Sequence, residues 1–229
     1  MKLEPLGDSA VLATLGTGID GATLARVLSL AEAIVASKRP GITDVVPAYA
    51  TLAAFYDPAR FNETPGDAYG EVCRFIESCA ERSGPAGRAP EGRLLEVPAC
   101  YGGAHGPDLE RVAEHCKVSA GEVVALHTGV EYLVHAIGFT PGFPYLGGLP
   151  EALHAPRRDT PRAHVPAGSV AIGGSQTGVY PVDSPGGWQL IGRTPMALFR
   201  PAQTPAALLR PGDRVRFRAI TPEEFSSWR

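Results

Sequence analysis

The residues best suited to chemistry lie in one segment, 139–195, in which about a third of the positions are Gly or Pro, against roughly 12% in average proteins. Glycine lets backbone N–H groups approach a ligand closely, and proline fixes the shape of a loop before binding. Such a segment suits a rigid polar pocket, although barrel corners and tight hairpins explain single glycines equally well. Its polar and aromatic side chains are therefore the first candidates for a site.

Arginines are the most specific of these candidates, because a guanidinium binds a carboxylate or phosphate through two parallel hydrogen bonds. Arg157, Arg162 and Arg193 can hold an anionic substrate, while Gln176, Ser184 and loop N–H groups stabilise developing charge. We predict catalytic roles for Arg162, Gln176 and Arg193. We predict substrate-binding roles for a second set, namely Phe139, Phe143, Tyr145, Arg157, Ser169, Tyr180, Ser184 and Trp188. The alternative for each arginine is a surface ion pair with a nearby aspartate.

Nucleophilic and metal-ion chemistry find little support in the sequence. Residues 173–178, Gly-Gly-Ser-Gln-Thr-Gly, resemble the glycine-serine loop of amidase-signature enzymes, but the three lysines, Lys2, Lys38 and Lys117, lie far from this loop. Neither a G-x-S-x-G elbow nor the Gly-Lys pair of a phosphate-binding loop occurs. The 4 cysteines and 6 histidines show no zinc spacing, so we predict no metal site. No residue is assigned to a nucleotide.

Two further motifs have structural explanations. Residues 16–21 match G-x-G-x-x-G between a strand pattern and a helix pattern, yet Asp20 stands where a pyrophosphate needs positive potential. An aspartate cap at a strand-to-helix turn explains the same letters. Residues 109–129 resemble a helix-turn-helix, but the second helix offers no donors that would reach base edges. We therefore predict two structural helices there.

The first eighty residues alternate strand and helix patterns, with apolar residues at i, i+3, i+4 and i+7 in the helices. The predicted elements are a strand over 10–15, a helix capped by Asp20 and ended by residues 38–41, strands over 42–46 and 48–56 separated by Pro47, and a helix over 69–80. These elements indicate an α+β two-layer sandwich domain over residues 1–83.

A Gly- and Pro-rich stretch without apolar period, residues 84–93, is the predicted linker. The second domain, 94–229, begins with a short strand and two helices, the second of them opened by the capping box Ser119-x-x-Glu122. Short apolar segments separated by turn residues then predict a β-barrel or sandwich. They are residues 132–137, 170–172, 189–191, 197–199 and 215–219.

Composition limits the classes of function. Apolar residues make up 44% and charged residues 20% of the chain, as in globular proteins. The net charge is −3 and the basic residues are dispersed, so we expect no binding to nucleic acid. No apolar run approaches the roughly 20 residues of a membrane span, and no signal-peptide pattern is present. We therefore predict a cytoplasmic protein without membrane contact.

The second domain contains four long, specific motifs, which are Phe-Thr-Pro-Gly-Phe-Pro-Tyr-Leu-Gly-Gly-Leu at 139–149, Val-Pro-Ala-Gly-Ser-Val at 165–170, Gln-Thr-Gly-Val-Tyr-Pro at 176–181 and Ser-Pro-Gly-Gly-Trp-Gln-Leu-Ile-Gly-Arg-Thr-Pro at 184–195. These motifs are similar to those of one known family, which is called allophanate hydrolase subunit 1, kinase A inhibitor or the B subunit of 5-oxoprolinase. Weaker similarity at residues 7–10 and 44–49 extends the resemblance over nearly the whole chain.

The resemblance implies a small α/β domain followed by a mainly-β, cyclophilin-like barrel. It also implies partners: a second subunit with a homologous barrel, and a third subunit that completes an ATP-dependent 5-oxoprolinase. That complex converts 5-oxo-L-proline, ATP and water to L-glutamate, ADP and phosphate, with ATP bound by this chain or by the assembled complex. The resemblance leaves two alternatives, an inhibitor of a sensor histidine kinase and a subunit of an allophanate hydrolase or urea-carboxylase-type complex.

Overall fold

The computed structural model describes residues 1–61, 66–83 and 92–228. The chain forms two compact units, Met1–Glu91 and Gly92–Arg229. Of the predicted linker 84–93, residues 84–91 lie outside the described residues. In the part of the chain that the structure describes, no helix combines the length and apolar character that a membrane span requires.

The N-terminal unit is a four-stranded antiparallel sheet covered on one face by two helices. Its elements are β1 (Lys2–Pro5), β2 (Ala10–Thr14), α1 (Gly21–Ala36), β3 (Ile42–Ala48), β4 (Thr51–Tyr56), a 3-10 turn (Pro58–Arg60) and α2 (Ala68–Ser83). The strand order is β1-β2-β4-β3. Alternate strand residues such as Val11, Leu52 and Ala54 pack against Val27 and Ile76 of the helices. The predicted two-layer sandwich is confirmed.

Helix α1 begins as the sequence predicts. The Asp20 carboxylate accepts a hydrogen bond from the Thr23 backbone N–H at 2.8 Å, which satisfies one of the free amide groups at the start of the helix. A Cβ on Gly16 would lie 2.7 Å from the Thr23 side chain. The close packing of Gly16 and the helix cap at Asp20 thus explain two residues of the G-x-G-x-x-G pattern.

The predicted break at Pro47 is wrong. Strand β3 runs through Pro47, and the turn to β4 lies at Tyr49, whose φ of +54° is left-handed. Strand β3 is at the edge of the sheet and has a neighbouring strand on one side only. On its open side, the N–H that proline lacks is not needed for strand pairing.

The C-terminal unit is a closed seven-stranded barrel, as the fold prediction requires. The barrel order is β10-β7-β6-β13-β5-β12-β9, and its strands are β5 (Leu94–Tyr101), β6 (Glu131–Ile137), β7 (Pro144–Gly147), β9 (Ser169–Gly173), β10 (Gln176–Val179), β12 (Gln189–Arg193) and β13 (Arg214–Ala219). The remaining elements are α3 (Leu109–Cys116), α4 (Ala120–Thr128), a 3-10 turn (Glu151–Leu153), β8 (Arg162–Val165), β11 (Ser184–Gly186) and α5 (Pro222–Ser226). Strands β8 and β11 pair with each other outside the barrel order.

The helices of this unit contribute to the barrel core. Val112 and Val123, from α3 and α4, are almost completely buried in one cluster with inward-facing strand residues such as Val170 and Ile172. The capping box of α4 is present, with the Ser119 hydroxyl oxygen accepting from Glu122 N–H and the Glu122 carboxylate accepting from Ser119 N–H. The two helices of the helix-turn-helix pattern are therefore structural.

A buried polar chain crosses the barrel core, and the sequence analysis did not find it. The Thr177 hydroxyl donates to the Ala171 carbonyl at 3.0 Å, so its oxygen accepts the hydrogen bond of 2.9 Å from His127 Nε2. His127 Nδ1 is then the unprotonated nitrogen and accepts from the Tyr101 hydroxyl at 2.8 Å. The Tyr132 hydroxyl donates to the His127 carbonyl at 2.8 Å. Complete burial lowers the pKa of His127 to about 3.

In this unit the sequence prediction failed mainly at short strands. The predicted strand at 197–199 is absent, since only Phe199 forms an isolated bridge there, to Ala207. Strands β7, β8, β10 and β11 have only three or four residues each and contain or border Gly and Pro, so they show no period-2 pattern.

Candidate functional site

An aromatic pocket lies among the loops of the Gly- and Pro-rich segment. Its volume is about 300 Å³, and it is open to solvent on one side. The lining residues come from the β6–β7 loop and β7, the segment before β8, the residue after β10, strand β11 and the turn between β11 and β12. They are Phe139, Phe143, Tyr145, Arg157, Arg158, Pro161, Tyr180, Pro185, Gly186, Gly187 and Trp188.

The pocket lies on the outer wall of the barrel. Strand alternation turns Val170 and Ile172 into the barrel interior and Ala171 to the opposite face. Ala171 joins Leu190 and the aromatic residues in a separate apolar cluster beneath the pocket. The site thus has its own small apolar core, on the opposite face of β9 from the barrel interior.

Phe143 is the centre of the aromatic wall. Its ring, only 2% exposed, meets Tyr145, Tyr180 and Trp188 edge to face at centroid distances of 5.0, 5.1 and 5.5 Å. Two glycines make room for this packing. A Cβ on Gly173 would lie 2.5 Å from the Trp188 ring, and one on Gly186 would overlap Tyr180. These glycines are therefore required by the shape of the wall.

Phe139 stands at the mouth of the pocket in a strained turn. Its φ is +66°, and the Thr140 N–H donates to the Gly138 carbonyl at 2.8 Å, which closes a three-residue turn around it. A bulky side chain rarely adopts this backbone. The residue is 60% exposed, and its ring packs edge to face with Phe143 and Tyr180. The fold thus holds a large apolar side chain in solvent beside the cavity.

The walls carry positive charge. Arg157 lies with its guanidinium carbon 5.7 Å from the Trp188 ring centroid, and Arg158 lines the same side. Hydrogen bonds fix the segment that carries them, with Arg158 N–H donating to the Gly187 carbonyl at 2.7 Å and the Gln189 amide donating to the Pro156 carbonyl at 2.8 Å. None of the described lining residues is an aspartate or glutamate.

The Tyr180 hydroxyl is also part of this electrostatic environment. Burial raises its pKa, against the lowering effects of the Trp188 backbone N–H, which donates to the hydroxyl oxygen, and of the nearby Arg157 and Arg162 charges. Tyr180 is therefore a neutral hydroxyl near two guanidinium groups.

A buried carboxylate lies behind the arginines. Asp108, 4% exposed, accepts from Arg162 at 2.8 Å and from Arg158 at 3.2 Å through one oxygen. Its other oxygen accepts from the Leu190 backbone N–H at 2.7 Å. Asp108 precedes α3 but makes no side-chain cap to that helix. Its carboxylate therefore joins the start of α3 to the pocket wall and to β12.

The predicted site residues fall into two groups. Six line the pocket, namely Phe139, Phe143, Tyr145, Arg157, Tyr180 and Trp188. Arg162 lies directly behind it on Asp108, and its partner in the β8–β11 pair is Gly186, a lining residue.

The other predicted residues do not line the pocket. Ser169 donates to the Pro166 carbonyl at 2.7 Å, Ser184 pairs with Val165, and Gln176 begins β10. Arg193 donates from Nε to the Ala167 carbonyl at 2.8 Å and lines a different cavity with Met196 and Phe225. The structure thus brings together the aromatic set and Arg157, with Arg162 adjacent, and separates Arg193 from them.

The sequence analysis assigned no site role to Asp108, Arg158 or Pro161. Arg158 follows the predicted residue Arg157, and Pro161 precedes the predicted residue Arg162. This adjacency was the sequence signal that could have identified them. Asp108 is 50 and 54 positions from its arginine partners, and its place before a helix favours interpretation as a cap. Within the described ranges, no three His, Cys, Asp or Glu side chains are grouped to hold a metal ion.

The class of protein is defined by its architecture: a small α/β sandwich followed by a closed barrel with an aromatic pocket on its outer wall. Comparison with known proteins agrees with this architecture. The model of the family described as carboxyltransferase domain, subdomain C and D, matches residues 1–209. The chain belongs to this family.

Individual relatives carry a more specific name. The B subunit of 5-oxoprolinase from Bacillus subtilis is 42% identical over 100% of this chain and 96% of its own length. The B subunit of 5-oxoprolinase from Escherichia coli O157:H7 is 46% identical over 93% of each chain. The family resemblance stated from the sequence is thereby confirmed.

A solved structure is similar over most of the fold. The crystal structure of TTHA0988 matches with a TM-score of 0.79 and 41% identity. The match covers 92% of this chain but only 40% of that chain. The chain therefore corresponds to less than half of a longer protein of known structure.

Proposed function

We propose that the chain is a subunit of an ATP-dependent 5-oxoprolinase complex that converts 5-oxo-L-proline, ATP and water to L-glutamate, ADP and phosphate. Relatives that are 42% and 46% identical over nearly their whole length are named as a subunit of 5-oxoprolinase. The observation that carries the proposal is the pocket itself. Its aromatic walls and its arginines without acidic lining residues suit a small, flat, negatively charged molecule, and 5-oxoproline is a five-membered lactam with a carboxylate.

The chemistry assigned to this chain is binding and charge neutralisation. A lactam is a resonance-stabilised amide, and phosphorylation of its carbonyl oxygen by ATP makes that oxygen a better leaving group. This step requires neutralisation of phosphate charge rather than a protein nucleophile. Arginines and loop amides supply such neutralisation. We retain the catalytic roles predicted for Arg162, Gln176 and Arg193 as proposals, with Arg162 placed best for one by its position behind the pocket.

The chain is proposed to act with partners. Its relatives are named as the B subunit of 5-oxoprolinase, and such a name implies further subunits. We propose a homologous-barrel subunit and a third subunit as those partners. Because the sequence contains no Gly-Lys phosphate loop, ATP is proposed to bind to the assembled complex rather than to this chain alone.

Reconstitution tests this proposal. The purified chain, each partner subunit and the complete mixture are assayed for glutamate and ADP formed from 5-oxo-L-proline and ATP. Turnover is expected only in the complete mixture. Robust turnover by the single chain would refute the subunit role, and none in the complete mixture would refute the substrate.

A pair of tryptophan variants connects turnover to the pocket. Trp188 lines the pocket, whereas Trp228 lies 42% exposed near the end of the described residues. Trp188→Phe is expected to lower kcat/KM of the mixture at least about tenfold, since the aromatic wall loses ring area against the substrate. Trp228→Phe is the matched control and should leave kcat/KM unchanged. Equal values for both variants would place the reaction outside this pocket.

A further inference from the structure

Arg158 and Arg162 carry more positive charge than their shared counter-ion neutralises. Asp108 is the carboxylate that contacts both Arg158 and Arg162, at 3.2 and 2.8 Å, so the trio carries a net charge of about +1 at neutral pH. The two arginine side chains are 26% and 23% exposed, so most of each is removed from water. A partly buried cation without a full counter-charge is costly, and a bound anion removes that cost.

The same arginines keep unused hydrogen-bond donors. Arg158 Nε and Arg162 Nη1 are buried and have no hydrogen-bond partner among the described residues. Unsatisfied donors of this kind are rare in folded proteins and call for a partner that the chain itself does not supply. Donors without a partner beside one net positive charge suit an anion with acceptor oxygens, such as a carboxylate.

The position of the trio relates these donors to the pocket. Arg158 lines the pocket directly, and Arg162 pairs across β8 and β11 with the lining residue Gly186. The Leu190 N–H holds the far side of the Asp108 carboxylate at 2.7 Å. The carboxylate is therefore fixed from three directions and holds the arginines at the pocket wall.

We propose that Arg158 and Arg162, held by Asp108, form an anion subsite that recognises the carboxylate of a flat ligand whose ring lies against Phe143, Tyr145 and Trp188. The assignment deepens the proposed function and rests on the same pocket, because 5-oxoproline carries such a carboxylate beside its lactam ring. A phosphate group shares the required chemistry. The test therefore compares a carboxylate with inorganic phosphate and ATP.

Trp188 fluorescence reports binding in this subsite. The sequence contains 2 tryptophans, so Trp228→Phe leaves Trp188 as the single reporter, inside the pocket. Two pairs of ligands are titrated, 5-oxo-L-proline against neutral 2-pyrrolidinone and benzoate against neutral benzamide. Each anion is expected to bind roughly 10-fold to 100-fold more tightly than its neutral counterpart, the contribution of one charge-assisted hydrogen bond. Inorganic phosphate and ATP are expected to compete more weakly than 5-oxoproline.

Arginine variants assign the effect to the trio. In the single-tryptophan protein, Arg158→Gln and Arg162→Gln should each reduce the anion preference at least fivefold and leave the affinity for the neutral ligand unchanged. Arg26→Gln, on the exposed face of α1 in the other unit, is the matched control and should retain the full preference. Arg158→Lys keeps the charge but loses the planar donors, so an intermediate preference is expected. Circular dichroism confirms that each variant is folded.

The outcomes separate the subsite from the proposed function. Equal affinity for anion and neutral ligand in both pairs, or full preference in both Gln variants, would overturn the subsite. Tighter binding of phosphate or ATP than of either carboxylate would overturn the carboxylate assignment. If the complete mixture failed to hydrolyse 5-oxoproline while the benzoate preference persisted and depended on Arg158 and Arg162, the proposed function would fail and the subsite would stand.

Discussion

Two polar clusters in the barrel unit are buried, one inside the barrel and one at its outer wall, and they differ in how fully their hydrogen bonds are satisfied. Inside, both ring nitrogens of His127 have partners, and the Thr177 hydroxyl both accepts and donates. At the wall, Arg158 and Arg162 share one carboxylate and keep buried donors without partners. A satisfied network stabilises a fold, whereas an unsatisfied one has capacity for a ligand.

The largest expected effect comes from removing the counter-ion of the wall cluster. Asp108→Asn leaves two partly buried guanidinium groups without a negative charge, and we expect the free energy of unfolding to fall by about 3 kcal/mol. Urea denaturation at pH 7 measures the change. Asp183→Asn, whose side chain is 63% exposed and pairs with His164, should change stability by less than about 1 kcal/mol.

Added anion makes this prediction more specific. Sulfate or 5-oxoproline should raise the midpoint of Asp108→Asn more than that of the wild type, because the anion replaces the missing charge. If Asp108→Asn and Asp183→Asn had the same stability with and without anion, the wall cluster would need an external anion no more than the interior network does.

The next effect concerns turnover. Arg162→Ala and Arg193→Ala are both expected to lower 5-oxoprolinase turnover of the reconstituted complex with the complex intact. Loss of a charge-assisted contact costs about 2 to 4 kcal/mol of barrier, which is roughly 30-fold to 10³-fold in rate. Arg162 should show the larger loss, since Arg193 lines a different cavity. Unchanged turnover in both variants would refute these roles, and a larger loss for Arg193 would move the reaction to its cavity.

A smaller effect follows from the interior network through pH. The pKa of His127 is lowered from 6.5 to about 3, so the unfolded chain binds more protons between these values. The contribution of His127 is therefore complete above about pH 6.5 and falls by about 1.4 kcal/mol per pH unit as the pH drops towards 3.

Urea denaturation between pH 7 and 4.5 measures this slope. His127→Gln keeps one acceptor and one donor in similar positions but does not titrate, so its curve should be flatter than that of the wild type by about 1.4 kcal/mol per unit below pH 6. Parallel curves for the two proteins would show that His127 is not the buried neutral imidazole described above.

The smallest effect tests strain at the mouth of the pocket. Both Phe139→Gly and Phe139→Ala remove the ring, but only glycine adopts a φ of +66° without steric cost. We expect the Gly variant to be more stable than the Ala variant by about 1 kcal/mol. Thermal unfolding of the two purified variants compares them directly. Equal midpoints would mean that the turn relaxes when the ring is absent.

Much of the local structure could be predicted because its signals are close together in sequence. The cap at Asp20 and the box Ser119-x-x-Glu122 both lie within four residues, and both are present. The closed barrel was expected from the family resemblance, whereas strands of three or four residues, such as β10 and β11, have too few positions to show a period.

The site was predictable only in part, for a related reason. Phe143, Tyr145, Tyr180 and Trp188 lie in one recognisable segment, and they do form one wall. The partner of the arginines is 50 or more residues distant, at Asp108, and no local pattern connects the two. His127 was missed likewise, because its partners come from β5 and β10 and not from its own helix.

The manner in which the barrel closes has a consequence for biosynthesis. Strand β5, the first of the unit, pairs in parallel with β13, the last, from Leu94↔Arg214 to Ala99↔Ala219. While the ribosome is still adding residues before position 214, β5 lacks this neighbour and its edge is open to other chains. The sheet of the N-terminal unit is complete once residue 56 has emerged. A nascent chain therefore has one finished sheet long before the other, and in that interval the open β5 edge is a site at which other chains can pair.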